Sequence, residues 1–174
     1  MSTFAKSRVF LALGGNLGEP RQTFRDAVKQ IQQHPQIQLV ATSSLYQTPA
    51  IGGPPGQPDY LNAVLELTTA LSPQELLDFC QQIEDAAGRT REVRWAARTL
   101  DIDLLLYAQQ TQTTATLKLP HPRLHERHFV LLPLVELAAD FEHPKLRKSA
   151  AELLAALPPA EEISRLEKEW TTDD

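Results

Sequence analysis

Residues 100 to 107 read LDIDLLLY, and the alternation in this stretch decides the fold. With side chains alternating along a strand, Leu100, Ile102, Leu104 and Leu106 would share one face, and Asp101 and Asp103 the other. The stretch therefore predicts a strand with an acidic face. Its two carboxylates would project the same way, with their bases roughly 7 Å apart.

Upstream, the chain alternates strand and helix signals. Ser72, Pro73 and Glu75 form a capping box with proline at the first helical position, and Leu76, Cys80, Ile83 and Ala87 follow at helical spacing up to Gly88. Before that helix, Tyr60 to Thr69 alternates Leu61, Ala63, Leu65 and Leu67 with Tyr60, Asn62, Val64 and Glu66, which predicts a strand with two distinct faces. Residues 48 to 58 (TPAIGGPPGQP) hold four prolines and three glycines, so they predict a loop long enough to be a lid. Ile37 to Gln47 reads as one strand. Phe24, Ala27, Val28 and Ile31 lie at helical spacing between Pro20 and Pro35, and Val9 to Leu13 is a buried strand running into the GGNLG turn.

The resulting order is strand, helix, strand, strand, helix, strand, the split pattern of ferredoxin-like folds. We expect an α+β domain with a ferredoxin-like βαββαβ core and an antiparallel sheet, extended by extra strands and helices. The extensions would be a strand near Thr116 to Leu119, a helix from Phe129 to Leu137, and a helix capped by Ser149. Residues 1–157 would form this single domain. Residues 158–174 would be a tail on which Ile163, Leu166 and Trp170 line one face of a short docked helix.

Composition narrows the function classes. At 174 residues the chain can bury one substantial core. Its 42% apolar and 22% charged content is that of a globular protein rather than a disordered one. The longest apolar stretch, Phe129 to Val135, is far shorter than the roughly 18 to 20 residues that cross a bilayer. The opening MSTFAKSRVF has no signal-peptide pattern, so a cytoplasmic location and no membrane partner are expected. A net charge of −5 argues against general nucleic-acid binding. The single cysteine, Cys80, sits at an apolar helical position and reads as core filler.

The chemistry concentrates around the acidic strand. Magnesium takes hard oxygen ligands and keeps several waters, so one or two carboxylates plus substrate phosphates is its ordinary arrangement. A lone Asp-x-Asp is more often a solvated strand face. Here Arg89, Arg91, Arg94 and Arg98 precede it within ten residues, with Glu92 the one local acid. Arginine's planar fork of donors suits phosphate oxygens, so the cluster fits a polyphosphate site. Phosphoryl transfer needs positioning and charge neutralisation more than covalent help, and arginines with magnesium supply both. The GGNLG glycines lack GxGxxG spacing, and no P-loop is present.

RWAARTLDIDLL (94 to 105) resembles the signature of the 6-hydroxymethyl-7,8-dihydropterin pyrophosphokinase family of folate biosynthesis. GGNLG (14 to 18), SSLYQTP (43 to 49), QPDYLNAV (57 to 64), GRTR (88 to 91) and PHPRLHERHFVLLPL (120 to 134) resemble further family motifs in the same order. The resemblance covers about residues 8 to 150. It implies transfer of the β,γ-pyrophosphoryl group of ATP to the hydroxymethyl oxygen of the pterin, with release of AMP. Asp101 and Asp103 would hold two magnesium ions. Arg89 and Arg98 would join them as catalytic residues, and Glu84, Arg89, Arg91, Arg98, His121 and Arg127 would lie on the ATP side. Tyr60 and Phe129 would stack on the pterin, Asn62 would bond its edge, Thr48 and Ile51 would add backbone groups, and Trp95 would close over it.

Ala96 and Ala97 depart from the Gly-Pro of the family pattern, in a loop one residue short of that pattern. A monomer is expected, with association with the next folate-pathway enzyme left open. Another two-metal nucleotide transferase with a ferredoxin-like palm, or a non-catalytic domain that binds ATP or a metabolite, would share the acidic strand. Neither explains the pterin-side motifs.

Overall fold

A computed structural model describes residues 6–50, 55–88, 99–159 and 162–172. The central strand is β1 (Ser7–Gly15), whose VFLAL run is buried on both faces. Helix α1 (Pro20–Gln33) opens on proline at its first position and buries Phe24, Ala27, Val28 and Ile31. After β2 (Ile37–Thr42) and β3 (Tyr46–Thr48) comes β4 (Tyr60–Thr69), then α2 (Pro73–Ala86) and β5 (Asp101–Tyr107). The capping box predicted for α2 is present. Ser72 Oγ accepts from the Glu75 N–H, and the Glu75 carboxylate accepts from the Ser72 N–H. Gly88 follows at φ +81°, a conformation that L side chains resist.

Hydrogen bonding joins the strands in the order β5-β1-β4-β3, with β2 also on β4, and every pairing is antiparallel. This is the split βαβ sheet expected from the element order. Beyond it lie a small ladder of β6 (Gln112–Thr113) and β7 (Lys118–Leu119), helix α3 (His128–Ala138) and helix α4 (Ala150–Ala155), which has its own Ser149–Glu152 capping box.

The two faces of the sheet bury separate clusters. Leu11, Leu13, Leu65 and Ile102 pack with α1 and α2 side chains such as Phe24, Ile31, Leu76 and Ile83, and with them lies the buried Cys80. Phe10 and Val64 pack on the opposite face with Val130, Leu131 and Leu134 of α3 and Leu153 of α4. That second layer explains why β4 is apolar on both sides.

Three expectations change. The strand read as Ile37 to Gln47 breaks at Ser43 and Ser44, both fully buried, and β3 resumes beyond them. The break survives because its polar groups are satisfied: Ser43 N–H donates to the Val64 carbonyl at 2.9 Å, and Ser43 Oγ accepts from the Val64 N–H at 2.9 Å. Second, the alternation in LDIDLLLY fails at Leu105. Phe10 pairs with Leu106 but Leu11 pairs with Leu104, so Leu105 is an extra residue in a bulge and Leu106 turns to the α3 face. Third, the tail is not a helix. Residues Ser164–Arg165 form β8, which adds antiparallel to β3, and Trp170 is buried against Phe24 with ring centroids 6.0 Å apart. An extended edge offers backbone hydrogen bonds that a docked helix cannot use. Leu45 N–H donates to the Glu167 carbonyl and Leu166 N–H to the Leu45 carbonyl.

Candidate active site

Strand register assembles one end of the sheet. Tyr46 pairs with Asn62, Asn62 with Gly14, and Gly14 with Asp101; the next row runs Val64, Ala12, Asp103. Directly paired residues project from the same face, so Tyr46, Asn62, Asp101 and Asp103 all share the α3 side of the sheet. Gly14 is the gap in that row. A Cβ placed there would stand 3.4 Å from Asn62 Oδ1, within the space between Asn62 and Asp101, which lie two strand spacings, roughly 10 Å, apart. The GGNLG motif thus supplies more than a turn, because its first glycine leaves an open floor between the amide and the carboxylate.

Asp101 is half-buried and Asp103 exposed, at the edge of the sheet where β5 has no outer strand among the described residues. The strand between them is held by Glu84 of α2, which is 3% exposed and accepts the Ile102 N–H at 2.8 Å. That bond caps an edge amide and fixes how far the two aspartates reach. Among the described residues, no group of three or more His, Cys, Asp or Glu converges as a complete metal cage. Two hard carboxylates with the remaining positions left to phosphate and water is the donor set that magnesium takes, so these residues fit that ion.

The bulge at Leu105 has a second consequence. Its carbonyl accepts the His121 N–H at 2.9 Å, which ties the 114 to 122 segment to the outer edge of β5. His121 Nδ1 accepts from the Arg123 N–H at 3.2 Å, leaving Nε2 as the protonated, donating nitrogen of a neutral ring. Burial lowers the His121 pKa below its ordinary value, against the opposing pull of Asp103, with Arg127 and Arg123 adding to the depression. A neutral donor beside an acidic strand results. A cleft of about 270 Å³ opens here, lined by Leu77, Ile102, Asp103, Leu117, His121 and Pro122 among others.

On the opposite side of the aspartates, Asn62 is buried and its Nδ2 donates to Thr48 Oγ1 at 3.1 Å. Tyr60, at the start of β4, pairs with Thr48. Phe129 lies half-buried on the first turn of α3, and the Arg127 guanidinium stands 5.5 Å from its ring centroid. Asp101, Asp103, Glu84, His121, Arg127, Thr48, Tyr60, Asn62 and Phe129 are therefore gathered around one end of the sheet. Ile51, Arg89, Arg91, Trp95 and Arg98 lie outside the described residues.

Two groups escaped the sequence reading. Asn16, 2% exposed, donates from Nδ2 to the Pro58 carbonyl at 2.9 Å and to Gln57 Oε1 at 3.4 Å, pinning the exit of the proline-rich loop to the end of β1. Glu136, on α3, accepts from Ser44 and Tyr46. A polar residue in GGNLG and an acid inside an apolar helix were the available signals. Neither shows a partner until the chain is folded.

The sheet and its acidic end define the class, an α+β protein of split βαβ build that presents paired carboxylates at the rim of a cleft. Residues 10–139 match the family model described as 7,8-dihydro-6-hydroxymethylpterin-pyrophosphokinase. A 2-amino-4-hydroxy-6-hydroxymethyldihydropteridine pyrophosphokinase of Pseudomonas aeruginosa is 45% identical over 159 residues, which is 91% of this chain and 96% of that one. The Bacillus subtilis enzyme of the same name is 44% identical over 133 residues, 76% and 79% of the two chains. Among solved structures, wild-type HPPK-DHPS of Plasmodium falciparum superposes with a TM-score of 0.68 at 12% identity over 89% of this chain. The chain spans 45% of that longer protein, and the likeness there is one of fold. The chain belongs to the 7,8-dihydro-6-hydroxymethylpterin-pyrophosphokinase family.

Proposed function

We propose that ATP occupies the cleft at the outer edge of β5 and the pterin the α3 side of β3 and β4, with Asp101 and Asp103 between them. The enzyme is a 2-amino-4-hydroxy-6-hydroxymethyldihydropteridine pyrophosphokinase of folate biosynthesis. In its reaction the pterin hydroxymethyl oxygen bonds to the β-phosphorus of ATP as the bridging bond to the α-phosphate breaks, and AMP leaves. The observation that carries the arrangement is the row Asn62–Gly14–Asp101, which sets an amide and a carboxylate on one face across an open glycine floor.

Each described residue then has a task its surroundings support, and Ile51, Arg89, Arg91, Arg98 and Trp95 take theirs from the family resemblance. Asn62 offers an amide edge to the flat heterocycle, Tyr60 and Phe129 offer ring faces, and Thr48, with Ile51, offers backbone groups at the entrance. His121 donates from Nε2 toward the nucleotide side. Arg127, with Arg89, Arg91 and Arg98, offsets charge on the phosphates. Glu84 works through the backbone, holding Ile102 so that the aspartates keep one reach. Two magnesium ions held by Asp101 and Asp103 would supply neutralisation of the polyphosphate and acidification of the attacking hydroxyl. Trp95 closes over the pterin. A cytoplasmic location suits an ATP-dependent enzyme in which no described helix is long and apolar enough to cross a membrane. Neighbours that carry HPPK and DHPS in one chain support association with the next folate-pathway enzyme.

The deciding assay is AMP release by the wild type with hydroxymethyldihydropterin, ATP and magnesium, run beside calorimetric binding of each substrate. AMP formed in step with pterin consumption is expected. Nucleotide binding without AMP release would mark a non-catalytic ligand-binding domain instead.

A further inference from the structure

Glu136 is an acid among apolar neighbours in the LPLVELA run of α3, and only 11% of its side chain is exposed. Both of its oxygens are engaged. Oε2 accepts from the Ser44 N–H at 2.9 Å and from Ser44 Oγ at 3.0 Å, and Oε1 accepts from the Tyr46 hydroxyl at 2.9 Å. From the tail, Arg165 brings Nη2 to 3.7 Å from Oε2 and donates from Nε to Ser44 Oγ at 3.2 Å. Burying a carboxylate is costly unless its hydrogen bonds are replaced, and an apolar residue of similar size is commonly as good or better for stability alone. A network of this kind contributes mainly orientation.

The orientation it sets is that of the pterin side. Phe129 and Glu136 are seven residues apart on α3, two turns along the same side, about 10 Å from end to end. Tyr46 and Thr48 share a face of β3, Tyr46 pairs with Asn62, and Asn62 bonds Thr48. One carboxylate thus joins the helix that carries Phe129 to the strand pair that carries Thr48 and Asn62. We propose that Glu136 is a positioning residue for pterin binding, locking β3 against α3 so that the ring-facing and edge-facing residues keep their spacing. The tail strand β8 completes the lock through Arg165. The inference rests on the pterin reading of this face.

Steady-state kinetics of the wild type, Glu136→Gln, Glu136→Leu and Tyr46→Phe, with melting temperatures, test it. Glu136→Leu should raise the pterin KM by about 10-fold while the ATP KM stays within about 2-fold, because only one half of the site is misaligned. The isosteric Glu136→Gln should recover most of that loss, and Tyr46→Phe should raise the pterin KM a few fold. Unchanged pterin KM in folded Glu136→Leu and Tyr46→Phe would overturn the proposal. So would a parallel rise in both KM values tracking a fall in melting temperature, which is what general loosening gives. If Glu136→Leu does not fold, Tyr46→Phe and Glu136→Gln decide alone. A wild type that fails to bind the pterin at all rejects the underlying reading as well, and that outcome is visible before any variant is made.

Discussion

The β3 and β5 edges of the main sheet are finished in opposite ways. At the β3 edge the chain closes on itself: β8 adds to the sheet, Trp170 fills a buried slot, and its Nε1 donates to the Ser43 carbonyl at 2.7 Å. At the β5 edge no strand is added among the described residues. Individual side and main chains cap it instead, with Glu84 on the Ile102 N–H and His121 on the Leu105 carbonyl, and the cleft opens beside them. An unpaired edge is a liability that proteins normally cover. Under the proposed arrangement, the nucleotide completes the surface at the β5 edge.

The comparison predicts that a change at the open edge costs activity without costing the fold. Asp103 is exposed and takes no part in the two core clusters. Asp103→Ala should therefore lower turnover by about 10³-fold or more, with a melting temperature close to that of the wild type. Nucleotide should still bind weakly through the basic residues. An AMP-release assay and a thermal melt read both sides, and near-normal turnover would remove the metal role from this strand.

A change at the closed edge should do the reverse. Trp170 is 1% exposed and packs edge-to-face on Phe24, so Trp170→Ala should destabilise the fold by about 3–5 kcal/mol. Urea unfolding measures it. At temperatures where the variant remains folded, the ATP KM should stay near the wild-type value, since the cleft lies at the opposite edge. A loss under about 1 kcal/mol would mean that the tail is only laid on the surface.

The same two edges show what a sequence carries and what it does not. The elements were legible because local signals agreed: the Ser72–Glu75 capping box, the Ser149 cap, Pro20 and Pro73 at helix starts, and the period-two run of β4. The aspartate pair was legible because alternation alone fixes its face. Features that depend on a distant partner were hidden. Leu105 looks like any other leucine in LDIDLLLY, and its bulge arises only when Phe10 and Leu11 set the register. The Ser43–Ser44 break needs Val64 and Glu136 to satisfy it. Ile163, Leu166 and Trp170 fitted a helical stripe, yet backbone pairing with Leu45 and Tyr46 prevailed. For the site, the described motif residues, such as Asp101, Asp103, Asn62 and His121, lie at one end of the sheet, while Asn16 and Glu136 lay unread because a buried polar residue reveals its purpose only through its partners.

Between the edges, Gly14 offers a smaller and more local test. It lies in regular strand pairing, and an added Cβ meets Asn62 Oδ1 at an ordinary contact distance, so Gly14→Ala should fold normally. The methyl would still occupy the floor between Asn62 and Asp101. The pterin KM should rise by about 10-fold, with ATP binding unchanged. Equal affinities for the pterin in both proteins would show that the ring does not cross this floor.

The smallest effect expected is a pH dependence confined to the closed edge. Burial, and then the hydrogen bond and charge of Glu136, push the Tyr46 phenol up to about 12, with Arg165 pulling the other way. The folded state therefore holds this proton more tightly than the unfolded chain, whose tyrosines titrate near 10. The stability Tyr46 contributes is fully present below about pH 10 and is lost as pH rises toward 12, where the unfolded chain has already released its proton. The size is at most on the order of 3 kcal/mol. Other groups titrate in the same window, so the informative quantity is the stability difference between wild type and Tyr46→Phe, followed by urea unfolding at successive pH values. That difference should move in favour of the phenylalanine variant as pH rises from about 10 to 12. A constant difference would mean that the phenol is not held by the Glu136 network.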